Sequence, residues 1–81
     1  MDEIQIKELV EFIARSLADY PEQIVVHEIS SPQISVLELR TAKDDMGKII
    51  GKDGHNIDAI RTIMSAVASK FRRRAVLDIL G

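Results

Sequence analysis

The chain has no cysteine and no tryptophan, and only one tyrosine, two phenylalanines, two prolines and four glycines in 81 residues. Without thiols there can be no disulfide framework and no thiolate metal site, which is compatible with a reducing compartment. His27 and His55 stand far apart, with no carboxylate pair at metal-ligand spacing, so both read as strand or loop residues. No nucleophile is spaced against a base. Catalysis, a small-molecule substrate, a metal and a cofactor are therefore not expected. No apolar run reaches the length of a membrane span, and the opening "MDEIQIKELVEF" is acidic and amphipathic, unlike a secretory signal, so the expected location is the cytoplasm. Phe12 and Phe71 fall at or near apolar stripes and are expected in the core.

What is present fits one folded domain spanning residues 1–81. Hydrophobic residues make up 46% and charged residues 30%, a mixture that folds rather than one that stays disordered. The formal net charge of −2 conceals a division: residues 1–38 carry eight acids against Lys7 and Arg15, and residues 39–81 carry nine basic side chains against five acids. Such an asymmetry can give one face an attractive potential for a polyanion while the whole stays acidic.

Ile6, Leu9, Val10, Ile13 and Leu17 recur at helical spacing and predict a helix from about Asp2 to Ala18, which Pro21 forbids from continuing. "EQIVVHEI" and "ISVLELRT", rich in β-branched residues and separated by "SSPQ", predict a hairpin. Lys43, Asp44 and Asp45 open a short helix that either aspartate can cap and that Gly51 ends. Ile57, Ile60, Ile63, Met64, Val67, Ala68 and Phe71 keep the period of a second long helix, and "AVLDIL" reads as a third strand. The long crossover between hairpin and last strand suits parallel pairing, so the prediction is an α+β fold of order αββααβ, with a three-stranded mixed sheet packed against three helices.

Between the last two helices lies "IIGKDGHNI", Ile49 to Ile57. Gly51 and Gly54 can take positive φ in a tight helix-to-helix connection. The same loop presents main-chain amides at the start of a long helix, where free N–H groups and the helix dipole favour an anion. Lys48 and Lys52 are nearby cations, and His55 can donate a hydrogen bond. "GKIIGKD" does not make a Walker loop: one residue is missing between its glycines, and Asp53 stands where a magnesium-holding Ser or Thr is needed.

The aliphatic frame, the two glycines and the element order closely resemble the KH domain in its type II, prokaryotic arrangement, and most of all its small stand-alone bacterial form. The resemblance covers essentially the whole chain. It implies binding of single-stranded RNA, with Gly51, Lys52, Asp53 and Gly54 clamping the sugar-phosphate backbone and about four nucleotides lying along an apolar groove. Carried over by position, Ile49 and Ile50 help form the groove or the core beneath it, Ile57 anchors the following helix, Leu37, Leu39 and Arg40 are groove-side candidates on the facing strand, and Arg61 supports the loop. Too few aromatics are present for a base-stacking platform, so modest affinity, low sequence specificity and marked salt dependence are expected.

Asp53 is the residue that fits a clamp badly. A carboxylate about 6 Å from a phosphate costs on the order of 0.7 kcal/mol in water. An N-cap side chain contributes about 0.5–2 kcal/mol, so Asp53 is expected as a cap, leaving the clamp weakened rather than lost. "KFRRRA" is expected to meet the negative pole of the long helix, ahead of any RNA contact. Apolar residues left over on the third strand, with Ile4, Met46 and Met64, suggest an interface. The resemblance agrees: it implies self-association, pairing with a larger KH-containing protein, and work as an RNA chaperone or post-transcriptional regulator. An assembly module with little RNA binding of its own is the alternative.

Overall fold

Helix α1 (Ile6–Leu17) buries Ile6, Val10 and Ala14 one turn apart, with Ile13 packed beside them, while Phe12 points out and is 72% exposed. The computed structural model describes residues 5–80, so the predicted start at Asp2 and the apolar Ile4 lie outside the described residues. Phe12 corrects the expectation of a core residue: the buried stripe runs through positions 6, 10 and 14, and residue 12 lies on the far side of that stripe. Met64 errs the other way, being 1% exposed and central to the core.

After α1 the chain turns extended at Ala18 and makes a 3-10 turn over Pro21–Gln23, with proline at its start. That turn delays strand β1 to Val25–Ser30. Strand β2 (Ile34–Arg40) pairs antiparallel with it, Val26 opposite Leu39, and strand β3 (Arg74–Leu80) runs parallel to β2, Leu37 beside Leu77. The sheet order is β1-β2-β3. A 3-10 turn (Lys43–Asp45), helix α2 (Met46–Ile50), a second 3-10 turn (Lys52–Gly54) and helix α3 (His55–Lys70) form the crossover. The mixed sheet and the order αββααβ are those predicted.

Strand periodicity separates the sheet's two faces. Val26, Leu37, Leu39 and Leu77 are buried against the helices with Val10, Ile49, Ile57, Ile60 and Met64, forming one core. Residues of the other parity, among them Val25, His27, Ile29, Arg40, Arg74 and Asp78, are exposed on a face that no helix among the described residues covers.

Two polar contacts fix the layers. Asp45 is completely buried and caps neither short helix; its Oδ1 accepts the amide of Asp19 and its Oδ2 that of Tyr20, both at 2.9 Å. The expected cap is thus instead a tie between the start of α2 and the turn after α1. At the far end of α3, Arg73 reaches the hairpin turn: its Nη2 lies 2.6 Å from Ser30 Oγ, 2.8 Å from the Ser31 carbonyl and 2.7 Å from Ser35 Oγ. Within the arginine run, Arg73 is thereby structural, acting through specific acceptors rather than through the helix dipole, while Arg72 and Arg74 are exposed. Arg72 closes α3 at φ 58°, and the amides of Arg72 and Arg73 bond back to Ser69 and Ala68, a Schellman ending with arginine at the left-handed position.

Candidate nucleic-acid interface

The connection between α2 and α3 is built on two backbone inversions. Gly51 has φ 77° and ψ 171°, a combination open essentially only to glycine. A Cβ there would stand 2.6 Å from Asn56 Cγ, 2.8 Å from its Cβ and 2.9 Å from its backbone nitrogen. Gly54, at φ 77° and ψ 12°, is left-handed, but a Cβ there would meet nothing nearer than 3.9 Å. The first glycine is needed for conformation and space, the second for conformation alone.

Asp53 lies between them at φ 56° and ψ 24°. It does not cap α3: Gly54 occupies that position and no side chain bonds the free amides. The correction supplies a different reason for the residue, since aspartate and asparagine enter the left-handed region at lower steric cost than most side chains.

Of the loop amides, Gly51 N–H bonds to Gly47 O at 2.8 Å and Gly54 N–H to Gly51 O at 3.1 Å. Those of Lys52 and Asp53 donate to no acceptor among the described residues. They stand beside the N-terminus of the 16-residue α3, whose own first amides carry the partial positive charge of the helix. The loop is polar and accessible: Lys52, Asp53 and His55 are exposed, and Gly51 and Gly54 half-buried.

The cations around this loop differ in commitment. Lys52 has no ion pair among the described residues. Lys48 faces Asp19, and the hydrogen bond to that carboxylate, reinforced by the charges of Asp19 and Asp45, holds its ammonium above the usual 10.5. Arg61 donates through Nε and Nη2 to the Leu77 carbonyl at 3.3 and 3.0 Å and lies 3.7 Å from Asp58, so it is bound to β3 rather than turned to the loop.

The aliphatic candidates separate by burial. Leu37, Leu39 and Ile49 have no exposed surface and Ile57 only 5%, because their strand parity or helix face turns them into the core; none of these leucines can meet a ligand from a groove. Ile50 is half-buried, and of these aliphatic candidates only it offers appreciable surface beside the loop. Arg40 extends from the opposite face of the sheet and is not brought to the loop. Sequence reasoning missed Asn56, whose Nδ2 donates to Lys48 O at 2.8 Å and so bolts the first turn of α3 to the end of α2. Its polar side chain in a helix's first turn was the one available signal.

Comparison with known proteins identifies the family of the chain. The family model described as "KhpA/KhpB, KH domain" matches residues 7–79. The protein named "RNA-binding protein KhpA" from Clostridium acetobutylicum is 46% identical over 74 residues, covering 91% of this chain and 99% of the relative. Its namesakes from Caldanaerobacter subterraneus subsp. tengcongensis and Borreliella burgdorferi are each 44% identical over 73 residues, 90% of this chain and 97% and 89% of theirs. No solved structure matches the chain.

Proposed function

We propose that this chain, which belongs to the KhpA/KhpB KH-domain family, binds single-stranded RNA through the Gly51–Gly54 loop and acts in the cytoplasm as an RNA chaperone or post-transcriptional regulator. The observation that carries the reading is the pair of uncommitted main-chain donors at Lys52 and Asp53, held between two inverted glycines at the mouth of α3, with the free ammonium of Lys52 beside them. Phosphate oxygens suit such a site: backbone amides supply directed donors, and the helix end and Lys52 supply charge. Ile50 adds a small apolar contact for a sugar or base face, and His55 stands exposed at the first position of α3 as an additional donor. With so little aliphatic surface and no aromatic platform, binding follows the backbone and discriminates bases weakly, which suits a protein acting on many RNAs.

Replacing Lys52 with aspartate is expected to weaken binding of a short oligoribonucleotide by at least about tenfold in fluorescence anisotropy, with an unchanged melting temperature. Lys52→Ala should lower the slope of log K against log salt by about 0.7, one phosphate contact on a single strand. Wild-type affinity in Lys52→Asp would remove the loop from the interface. Asp53→Asn keeps a residue tolerant of the left-handed backbone and removes the like charge. Affinity should rise about threefold at low salt, the equivalent of about 0.7 kcal/mol, and the gain should fade as salt is raised.

The uncovered face of the sheet favours a second activity, assembly, either with a further copy or with the larger KH-containing protein KhpB, whose KH domain the same family model describes. A protein that associates yet leaves single-stranded RNA unbound at low salt would make assembly its principal work.

A further inference from the structure

At the end of α3 away from the loop, a polar cavity of about 260 Å³ opens between the helix and the start of the edge strand β3. Ser65 and Ser69, one helical turn apart, line one side, and Arg73, Arg74 and Ala75 the other. No carboxylate is among these lining residues. The volume falls below the roughly 300–1,000 Å³ of sites built for drug-sized ligands, which leaves room for a small group and its waters.

The two serines differ from the others of the chain. Ser16 bonds back to a carbonyl of its own helix, and Ser30, Ser31 and Ser35 are engaged at the hairpin turn. The hydroxyls of Ser65 and Ser69 have no hydrogen-bond partner among the described residues. Arg74 is exposed; its amide bonds to Gln33 O at 2.9 Å, while its guanidinium makes no hydrogen bond or ion pair among the described residues. Arg73 is the fixed member, held by Ser30 and Ser35.

Stability does not account for the cations gathered here. Lys70, Arg72, Arg73 and Arg74 crowd residues 70–74, whereas the end of a helix offers only about half a negative charge. The carbonyls of Ala68 and Ser69 already accept the amides of Phe71, Arg72 and Arg73. Arg72 moreover takes φ 58° at the position where helices usually end on glycine, a conformation that costs a side chain about 1–2 kcal/mol. Glycine there would serve the fold better, and it would remove a charge from beside the cavity.

We propose that this cavity binds a phosphate of the RNA backbone, as an anchor separate from the Gly51–Gly54 loop. The guanidinium of Arg74 presents paired donors to two phosphate oxygens, and the hydroxyls of Ser65 and Ser69 donate beside it. Lys70 and Arg72, both exposed and adjoining in sequence, add charge. The 16 residues of α3 set its ends about 24 Å apart, so one phosphate cannot occupy both sites. RNA engaged at both must run the length of the helix, beyond the footprint of the loop alone. Resting on the RNA-binding reading proposed above, this extends the contact from one anchor to two.

Fluorescence anisotropy of the full chain with a tetranucleotide and with a dodecanucleotide tests it, at 100 mM salt so that the two ends of α3 are screened from one another. Arg74→Glu should weaken dodecanucleotide binding by about tenfold and leave tetranucleotide binding unchanged. Ser65→Ala/Ser69→Ala should weaken the dodecanucleotide by about threefold, a loss that diffuse charge does not produce. Lys52→Asp is the counterpart and should lower affinity for both lengths. An Arg74→Glu protein that binds the dodecanucleotide like wild type overturns the second anchor, as does a serine variant without loss. A tetranucleotide indifferent to Lys52→Asp counts against the loop instead, so the two failures register separately. Should Arg74→Glu fail to fold by circular dichroism, amide shifts of the wild type decide: shifts at 65, 69, 74 and 75 with the dodecanucleotide alone support the cavity, and shifts confined to the loop refute it. Tight binding of inorganic phosphate at those four amides, beside an unaltered dodecanucleotide affinity in Arg74→Glu, would assign the cavity to a small phosphorylated molecule and overturn the RNA anchor.

Discussion

Gly51→Ala should destabilise the protein by at least about 3 kcal/mol and lower its melting temperature by about 15 °C. Two effects add. At φ 77° and ψ 171° an alanine occupies a region its Cβ forbids, and the same Cβ presses on Asn56 at 2.6 Å from Cγ and 2.9 Å from the backbone nitrogen. A side chain can swing away, whereas a helical backbone nitrogen moves only by shifting α3. Gly54→Ala is the matched control: it meets ordinary contact distances and pays only for a left-handed alanine, about 1 kcal/mol. Urea denaturation of both variants, of Asn56→Ala and of Gly51→Ala/Asn56→Ala measures the parts. Referred to Asn56→Ala, which by itself loses the bond to Lys48 O, the double variant is relieved of the Cγ contact alone, because Asn56 Cβ and the backbone nitrogen remain. A Gly51→Ala protein within 1 kcal/mol of wild type would refute this account of the junction.

Asp45→Ala is the second large effect, at about 3 kcal/mol. The carboxylate is fully buried, and its removal leaves a cavity and takes the acceptors from two partly buried backbone donors, Asp19 N–H and Tyr20 N–H. Asp45→Asn separates charge from hydrogen bonding: one oxygen still accepts, while the new NH₂ faces the other amide as donor against donor. Asn should fall between Asp and Ala in thermal denaturation. An alanine variant as stable as wild type would mean the two amides find water without penalty. In a domain of this size, where the total is expected near the low end of 5–15 kcal/mol, either loss leaves little reserve.

What could be read from the sequence was local. Spacing of three and four along 6–17 and 57–71, and β-branched runs around Pro21 and Pro32, carry their periodicity within one element, so order, sheet type and crossover were legible. The glycine pair was legible for the same reason, since inverted backbone is a property of a few adjacent residues. Asp45, Asp53 and Arg73 were not. Each is a polar residue beside a helix end, where capping is the local default, yet Asp45 spends its oxygens on residues 19 and 20 and Arg73 on residues 30 to 35. A partner that distant in sequence leaves no periodic trace. Leu37 and Leu39 failed differently: alternation shows that they share a face, but which face meets the helices is settled only by register.

The guanidinium that grips the first hairpin belongs to the residue just before the final strand. During synthesis the turn at 31–34 therefore emerges long before the group that holds it, and β2 waits equally long for its parallel neighbour. A two-stranded hairpin alone is marginal in water. The nascent chain must carry an incomplete sheet until residues 73–80 are free of the ribosome, so the sheet closes only once β3 is out rather than step by step from the N-terminus.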